Sequence, residues 1–278
     1  MITVINSNNN NNNNTRFVSS ICLQYIFMSH DVDWRRQGPS SDHIITRKDR
    51  FDKELLENIQ AKNLYYNIPN YMDIEEKFDI RSTFFFRTIY EDGDYRDYED
   101  DIRALINGGW EVGLHCDPSS IDNVERIHEE KVKLEGLTKN MIKSNRVHYM
   151  AFNKDLPRKL EKLGFVYDSS QRNSKDRINK YEMGYSIIGK LIEFPITLMD
   201  AYMFTFMKVK EEQIIPTFES TLNYSRSLGG DINVVTVIWH DNVLQMKGGR
   251  MYEKILEYLT SQDDVRVSRG IDLTRIIK

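Results

Sequence analysis

A chain of 278 residues, 40% of them apolar, can bury a substantial core as one large α/β domain or as two smaller ones. A net charge of −4 argues against nucleic acid or an anionic membrane surface as the main partner. Two cysteines, Cys22 and Cys116, are too few for a secreted scaffold held by disulfides and read as reduced thiols.

In chain order, residues 7–14 are asparagine after one leading serine. Such a tract has no apolar side chains to offset its ordering entropy, so 1–16 is expected to be a disordered tail ahead of a folded domain at 17–278. The apolar run at 17–28, behind Arg16, has the length of a signal-peptide core and is too short to span a bilayer. It leads directly into Ser29-His30-Asp31-Val32-Asp33, and cleavage there would remove the strand that presents both acids. It therefore reads as a buried first strand, ordered from 22–28, of a cytoplasmic protein.

Further strands are expected at 80–86, 111–115, 146–150, 165–167, 191–198, 234–239 and 265–267. Phe84-Phe85-Phe86 and the run from Val234 to Trp239 are apolar on both faces, as strands are when helices cover both sides of a parallel sheet. Between the strands lie helical patterns. Ser119-Ser120-Ile121-Asp122 has capping-box spacing ahead of a stripe that includes Ile121, Ile127, Leu134 and Met141. Asn153 is placed to cap a helix over 156–163 that stops at Gly164, and Met251, Ile255, Leu256 and Leu259 form another stripe. Strand and helix alternate about seven times with no long polar linker, so a single distorted (β/α)7-type barrel is the economical fold.

Reactive side chains recur at the strand ends. Asp31 and Asp33 follow the first strand, His115 ends the third, His148 lies in the fourth, and Asp168, Asp200 and His240 follow the fifth, sixth and seventh. In a parallel barrel these ends open onto one face, where active sites are built. Asp31 and Asp33 are two apart, so extended backbone points them to one side, and a cation relieves their mutual repulsion. One carboxylate with His115 and His148 is a donor set suited to catalytic zinc with an open position. His240 suits a general acid, with Asp168 and Asp200 both available to orient it. His30 should face away from Asp31, and His43 and His128 lie in polar surroundings, so these three are set aside. Trp34, Tyr149 and Trp239 are candidate aromatic stacking faces near these strand ends.

At these residues the sequence resembles the polysaccharide deacetylases, the NodB-homology or carbohydrate esterase family 4 fold. The resemblance rests on an ordered set: His30-Asp31-Val32-Asp33, Gly113-Leu114-His115, Arg146-Val147-His148-Tyr149 and Tyr167-Asp168-Ser169-Ser170. It implies a NodB-like barrel and a metal-dependent hydrolase that removes an acyl group from an N-acetylated sugar or glycan. It implies Asp31 as base, Asp33 and His115 as ligands of a divalent metal, most often zinc, and Arg146 as the residue that orients the base. Tyr149 would contribute to the oxyanion site, Asp168 would support the acid histidine, and His240 would be that acid. The chain departs from the family's second motif, which is His-x-x-x-His, because Ser119 stands where the second histidine belongs. Ser119 is a poor zinc ligand and a good helix cap, so the second ligand comes from elsewhere or is absent, and His148, next but one to the matched Arg146, is the candidate replacement. The alternatives are a metal-independent C–N hydrolase on the same barrel and a carbohydrate-binding protein without turnover.

Overall fold

The computed structural model describes residues 23–278 apart from 58 and 231, so Cys22 and the asparagine-rich segment lie outside the described residues. Among those described, ten strands join one sheet: β1 (Gln24–Val32), β2 (Thr83–Phe86), β3 (Glu111–Cys116), β4 (Ser144–Val147), β5 (Tyr167–Asp168), β6 (Ser186–Ile188), β7 (Leu191–Glu193), β8 (Leu198–Met199), β9 (Asn233–Ile238) and β10 (Val265–Ser268). They follow the order β6-β7-β5-β4-β3-β2-β1-β9-β8, with β10 also on β1. β6 and β7 form an antiparallel hairpin, turning at Gly189 with φ +66°, and the other pairings are parallel. The expected barrel is present as a curled, open sheet whose path ends at β6 and β8.

β1 organises this sheet because its two halves pair differently. Gln24–Phe27 lies against β10, Ser29–Val32 lies against β2, and Gln24–Ser29 lies against β9. The strand runs through Asp31, beyond the apolar segment that marks it in sequence. Successive side chains of an extended strand face opposite ways. On the outer face Ile26, Met28 and Val32 join the large core between sheet and helices. On the inner face Phe27 packs edge-on against Tyr167 and Phe194, with ring centroids 5.6 and 5.3 Å away, inside a cluster that also holds Phe85, Ile192, Val234 and Leu273. This aromatic plug closes the barrel interior beneath the rim. Gly113 is required beside it, since a Cβ there would sit 2.6 Å from the Phe85 ring and from Ser144 Oγ.

Helices cover the outer face, among them Ile68–Lys77, Glu99–Asn107, Val124–Thr138, Ile214–Leu228 and Tyr252–Thr260. The Val124–Thr138 helix begins later than the capping-box spacing suggests: Asn123 caps it by accepting the Arg126 amide at 3.1 Å. Ser119 instead sits in a short 3-10 turn, where its amide and hydroxyl both donate to Asp117 Oδ1. Asn153 Oδ1 does receive the amides of Asp155 and Leu156, at the start of the Leu156–Lys162 helix. Among the described residues no helix is long and apolar enough to cross a membrane.

Candidate active site

The inner face of β1 climbs from Phe27 through Ser29 to Asp31, and Asp33 continues in the same direction past the strand end. Arg146, entirely buried on β4, clasps this ladder. Its Nη1 donates to Ser29 Oγ at 2.8 Å and to Asp31 Oδ1 at 2.7 Å, while Nε and Nη2 donate to the carbonyl and hydroxyl of Ser169, each at 2.9 Å. The guanidinium carbon lies 4.3 Å from the Phe85 ring centroid, so the aromatic plug also supports the charge. Burial opposes ionisation of Asp31, but Arg146, His115 and His240 outweigh it and hold its pKa below the ordinary value. Its second oxygen, Oδ2, is buried without a hydrogen-bond partner and lies 3.8 Å from His115 Nε2.

His115 reaches the same point from β3. Its Nδ1 donates to the Arg146 carbonyl at 3.0 Å, which leaves the Nε2 lone pair facing inward. Around it the separations are 3.1 Å from His115 Nε2 to Asp33 Oδ1, 3.2 Å from His148 Nδ1 to Asp33 Oδ1, and 3.1 Å between the two ring nitrogens. A tetrahedral cation with ligand bonds of about 2.0 Å needs an edge of about 3.3 Å. The triangle therefore fits a divalent metal with an open fourth position, and one carboxylate with two imidazoles is a suitable donor set. His148 directly follows β4, and the chain turns sharply beyond it, where Tyr149 and Met150 adopt φ +59° and +55°. Tyr149 itself is 78% exposed, and its ring lies 3.8 Å from that of His148. Ser119, held in the Asp117 turn, takes no part.

His240 follows β9 on the opposite side of Asp33, with Nε2 at 3.6 Å from Asp33 Oδ2. Its Nδ1 pairs with Asp200 Oδ1 at 2.6 Å, and its backbone amide donates to Asp200 Oδ2 at 2.7 Å. Burial would depress its pKa, but Asp200 and then Asp33 and Asp31 raise it to about 10.

The expectation that Asp168 supports this histidine is corrected. Tyr167 points into the aromatic plug, so its neighbour Asp168 faces the other side of β5, where Oδ1 accepts from Asn145 Nδ2 at 2.7 Å and Ser170 Oγ at 2.8 Å. There it lies beside Glu193, its register partner on β7, which sequence reading missed. Burial, and then the charge of Asp168, push Glu193 well above the ordinary range, and burial likewise raises Asp168. Trp239, a candidate stacking face, is fully buried with Nε1 donating to the Gly249 carbonyl at 2.9 Å, so it is core.

Three cavities meet at Asp33. One of about 350 Å³ is lined by Asp31, Asp33, His115, His148, Tyr149 and His240, with Tyr202 and Lys175 on its far wall. A second, of about 550 Å³, begins at Asp33 and His240 and runs away from them. A third, of about 260 Å³, passes Trp34, His43 and Tyr90. The arrangement holds an unpartnered carboxylate oxygen, a cation-sized triangle of donors and an oriented imidazole around one space.

Neither a protein-family model nor a curated protein sequence matches the chain. Solved structures do match it. A Mycobacterium smegmatis protein described as a polysaccharide deacetylase is 19% identical at a TM-score of 0.63, over 93% of this chain and 91% of its own. Puue allantoinase is 17% identical at a TM-score of 0.65, over 92% of this chain and 91% of its own. A carbohydrate esterase family 4 pseudoenzyme from Bacillus anthracis is 9% identical at a TM-score of 0.52, over 91% of this chain and 66% of its own. The chain shares the fold of the polysaccharide deacetylases, as its motif order implies.

Proposed function

We propose that this protein is a metal-dependent hydrolase that removes an acyl group, typically acetyl, from an N-acylated sugar or glycan. The observation that carries the reading is the convergence of Asp33 Oδ1, His115 Nε2 and His148 Nδ1 between the Arg146-bound Asp31 and the Asp200-bound His240. The deacetylases that share the fold support the substrate class.

Asp33, His115 and His148 would hold the cation, zinc being the best match to the donors. When bound, a divalent ion supplies polarisation of the acyl carbonyl and a more acidic water. Asp31 is the base. Arg146 occupies its Oδ1, so the unpartnered Oδ2 receives the water proton. Arg146 also keeps the charge on Asp31 compensated in a buried setting, which is its positioning role. His240, on the far side of Asp33 and oriented through Nδ1 by Asp200, gives the Nε2 proton to the departing nitrogen. The Tyr149 backbone amide, carried on the left-handed turn, would stabilise the developing oxyanion.

Metal analysis of the purified protein and acetate release from N-acetylglucosamine oligomers test this reading together. Stoichiometric metal that is lost in both D33A and H148A, with acetate release lost in parallel, is the expected result. Absence of metal and of acetate release from the wild type would overturn it. A second reading, a metal-independent C–N hydrolase, draws on the same triangle: a His148 Nδ1 proton directed at Asp33 or His115 closes it without a cation. Turnover by protein that binds no metal would favour that reading.

A further inference from the structure

The cavity that leaves the site beside His240 is more positive in its lining than the two others that meet at Asp33. It is lined by Arg50, Lys208 and Lys247 along one course, and Asp33 at its mouth is its single carboxylate. Arg50 and Lys247 are adjacent in space because the Lys247 amide donates to the Arg50 carbonyl at 2.7 Å, although the two are far apart in the chain. The Lys247 ammonium reaches a backbone oxygen, that of Asp49, at 3.2 Å.

Asp49, next to Arg50 in the chain, is exposed and forms no ion pair with it among the described residues, and two other nearby carboxylates are already occupied. Asp52, two residues beyond Arg50, pairs with Arg250, and Glu211, which accepts the Gly248 amide beside Lys247, pairs with the same Arg250 at 3.1 Å. Among the described residues no carboxylate pairs with Arg50, Lys208 or Lys247. The positive field is felt nearby: burial, then Arg47 and Arg50, hold the His43 imidazole below its ordinary pKa. Three exposed cations without carboxylate partners line one space and give it a positive potential that an anion would neutralise.

Resting on the hydrolase reading, we infer that this cavity is a phosphate subsite, and that the substrate is an N-acylated sugar carrying a phosphate or pyrophosphate group. The acyl group would lie in the cavity of Asp31, Asp33 and His148, and the phosphate would extend past His240 towards Arg50, Lys208 and Lys247. The two cavities share Asp33, Ala201 and His240, so one ligand can occupy both. A volume of about 550 Å³ is ample for a phosphorylated sugar. Three cations match a group that carries two or more negative charges better than a single carboxylate, and the mouth carboxylate Asp33 sets a minimum distance for the anion.

Calorimetric titration of the full chain with N-acetylglucosamine 1-phosphate, N-acetylglucosamine and an N-acetylated uronic acid tests the inference. The phosphate-bearing sugar should bind tightest, by about tenfold or more over the neutral one if each exposed charge contributes roughly two- to fivefold. That preference should shrink with added salt over a Debye length of about 8 Å at physiological ionic strength. The R50A/K208A/K247A variant should bring the ratio of the two affinities close to one, and K208R/K247R, which keeps the charges, should keep it. Equal affinity for the three sugars, a preference for the uronic acid, or a preference that survives the triple alanine variant overturns the inference. Acetate release separates its failure from that of the hydrolase reading. Release from the neutral sugar without phosphate preference leaves the hydrolase standing alone. Selective phosphate binding without release from any sugar leaves the subsite standing alone.

Discussion

Two buried histidine–carboxylate clusters flank β1, one on each face, and they are built to opposite ends. On the outer face His30 Nε2 meets Glu75 Oε1 at 2.9 Å. The same carboxylate also accepts from the Ser82 amide and hydroxyl, from Trp110 Nε1 at 2.7 Å and from the Tyr252 hydroxyl at 2.8 Å. Every polar atom there has a partner, and aromatic rings of Tyr71, Phe84 and Tyr252 pack around the imidazole. On the inner face Asp31 Oδ2 has no hydrogen-bond partner, three donor atoms crowd within 4.8 Å of one another, and a cavity opens over them. Leaving buried polar groups unsatisfied is costly, so the satisfied cluster reads as structure and the unsatisfied one as a place for a ligand.

The comparison breaks most sharply through His240. H240A should lower acyl release by about 10²–10⁴-fold, the usual worth of a positioned proton donor, with metal content retained. Steady-state kinetics beside metal analysis reads both, and unchanged kcat/KM would remove His240 from the chemistry. On the other face, E75A should cost roughly 3–5 kcal/mol of stability, because the donors that Glu75 satisfies are left buried and unpaired. Denaturant unfolding measures that loss, and folded E75A protein should match the wild type in metal content. A metal-free E75A would join the two clusters into one functional unit.

The smallest expected effect concerns Asp168 and Glu193, a third buried acid group that lies behind Arg146. The folded pKa of Glu193 is raised above the ordinary 4.5 by burial and by Asp168. The unfolded chain therefore ionises at Glu193 first as pH rises. The stability from this group is full below about 4.5 and declines as pH climbs towards the folded value. E193Q should flatten that decline in denaturant midpoints measured from about pH 4 to about pH 8. An unaltered slope would show that the pair does not hold its proton in the folded state.

Local spacing made much of this legible. A period of two along β1 is enough to separate Asp31 and Asp33 from His30, and the structure keeps that division. The strand-end histidines could be picked out because parallel strands deliver their ends to one rim, whereas Arg146 came from the family resemblance. The same period, applied to β5, would have turned Asp168 away from the rim had Tyr167 been recognised as an interior residue. Ser119 was readable as a poor ligand, but two cap-like sites lie close together in the chain, and the helix starts at Asn123 while Ser119 stays in the Asp117 turn.

By itself, then, the sequence determined the fold class, the order of the motifs and the division of β1 into a face with Asp31 and Asp33 and a face with His30, because these follow from periods of two and 3.6 within single elements. Tertiary structure alone decided that Asp200 rather than Asp168 holds His240, and that His148 meets Asp33. It alone lined one cavity with Arg50, Lys208 and Lys247. Those outcomes depend on register between strands and on loops from distant parts of the chain meeting over one rim, which no local spacing encodes.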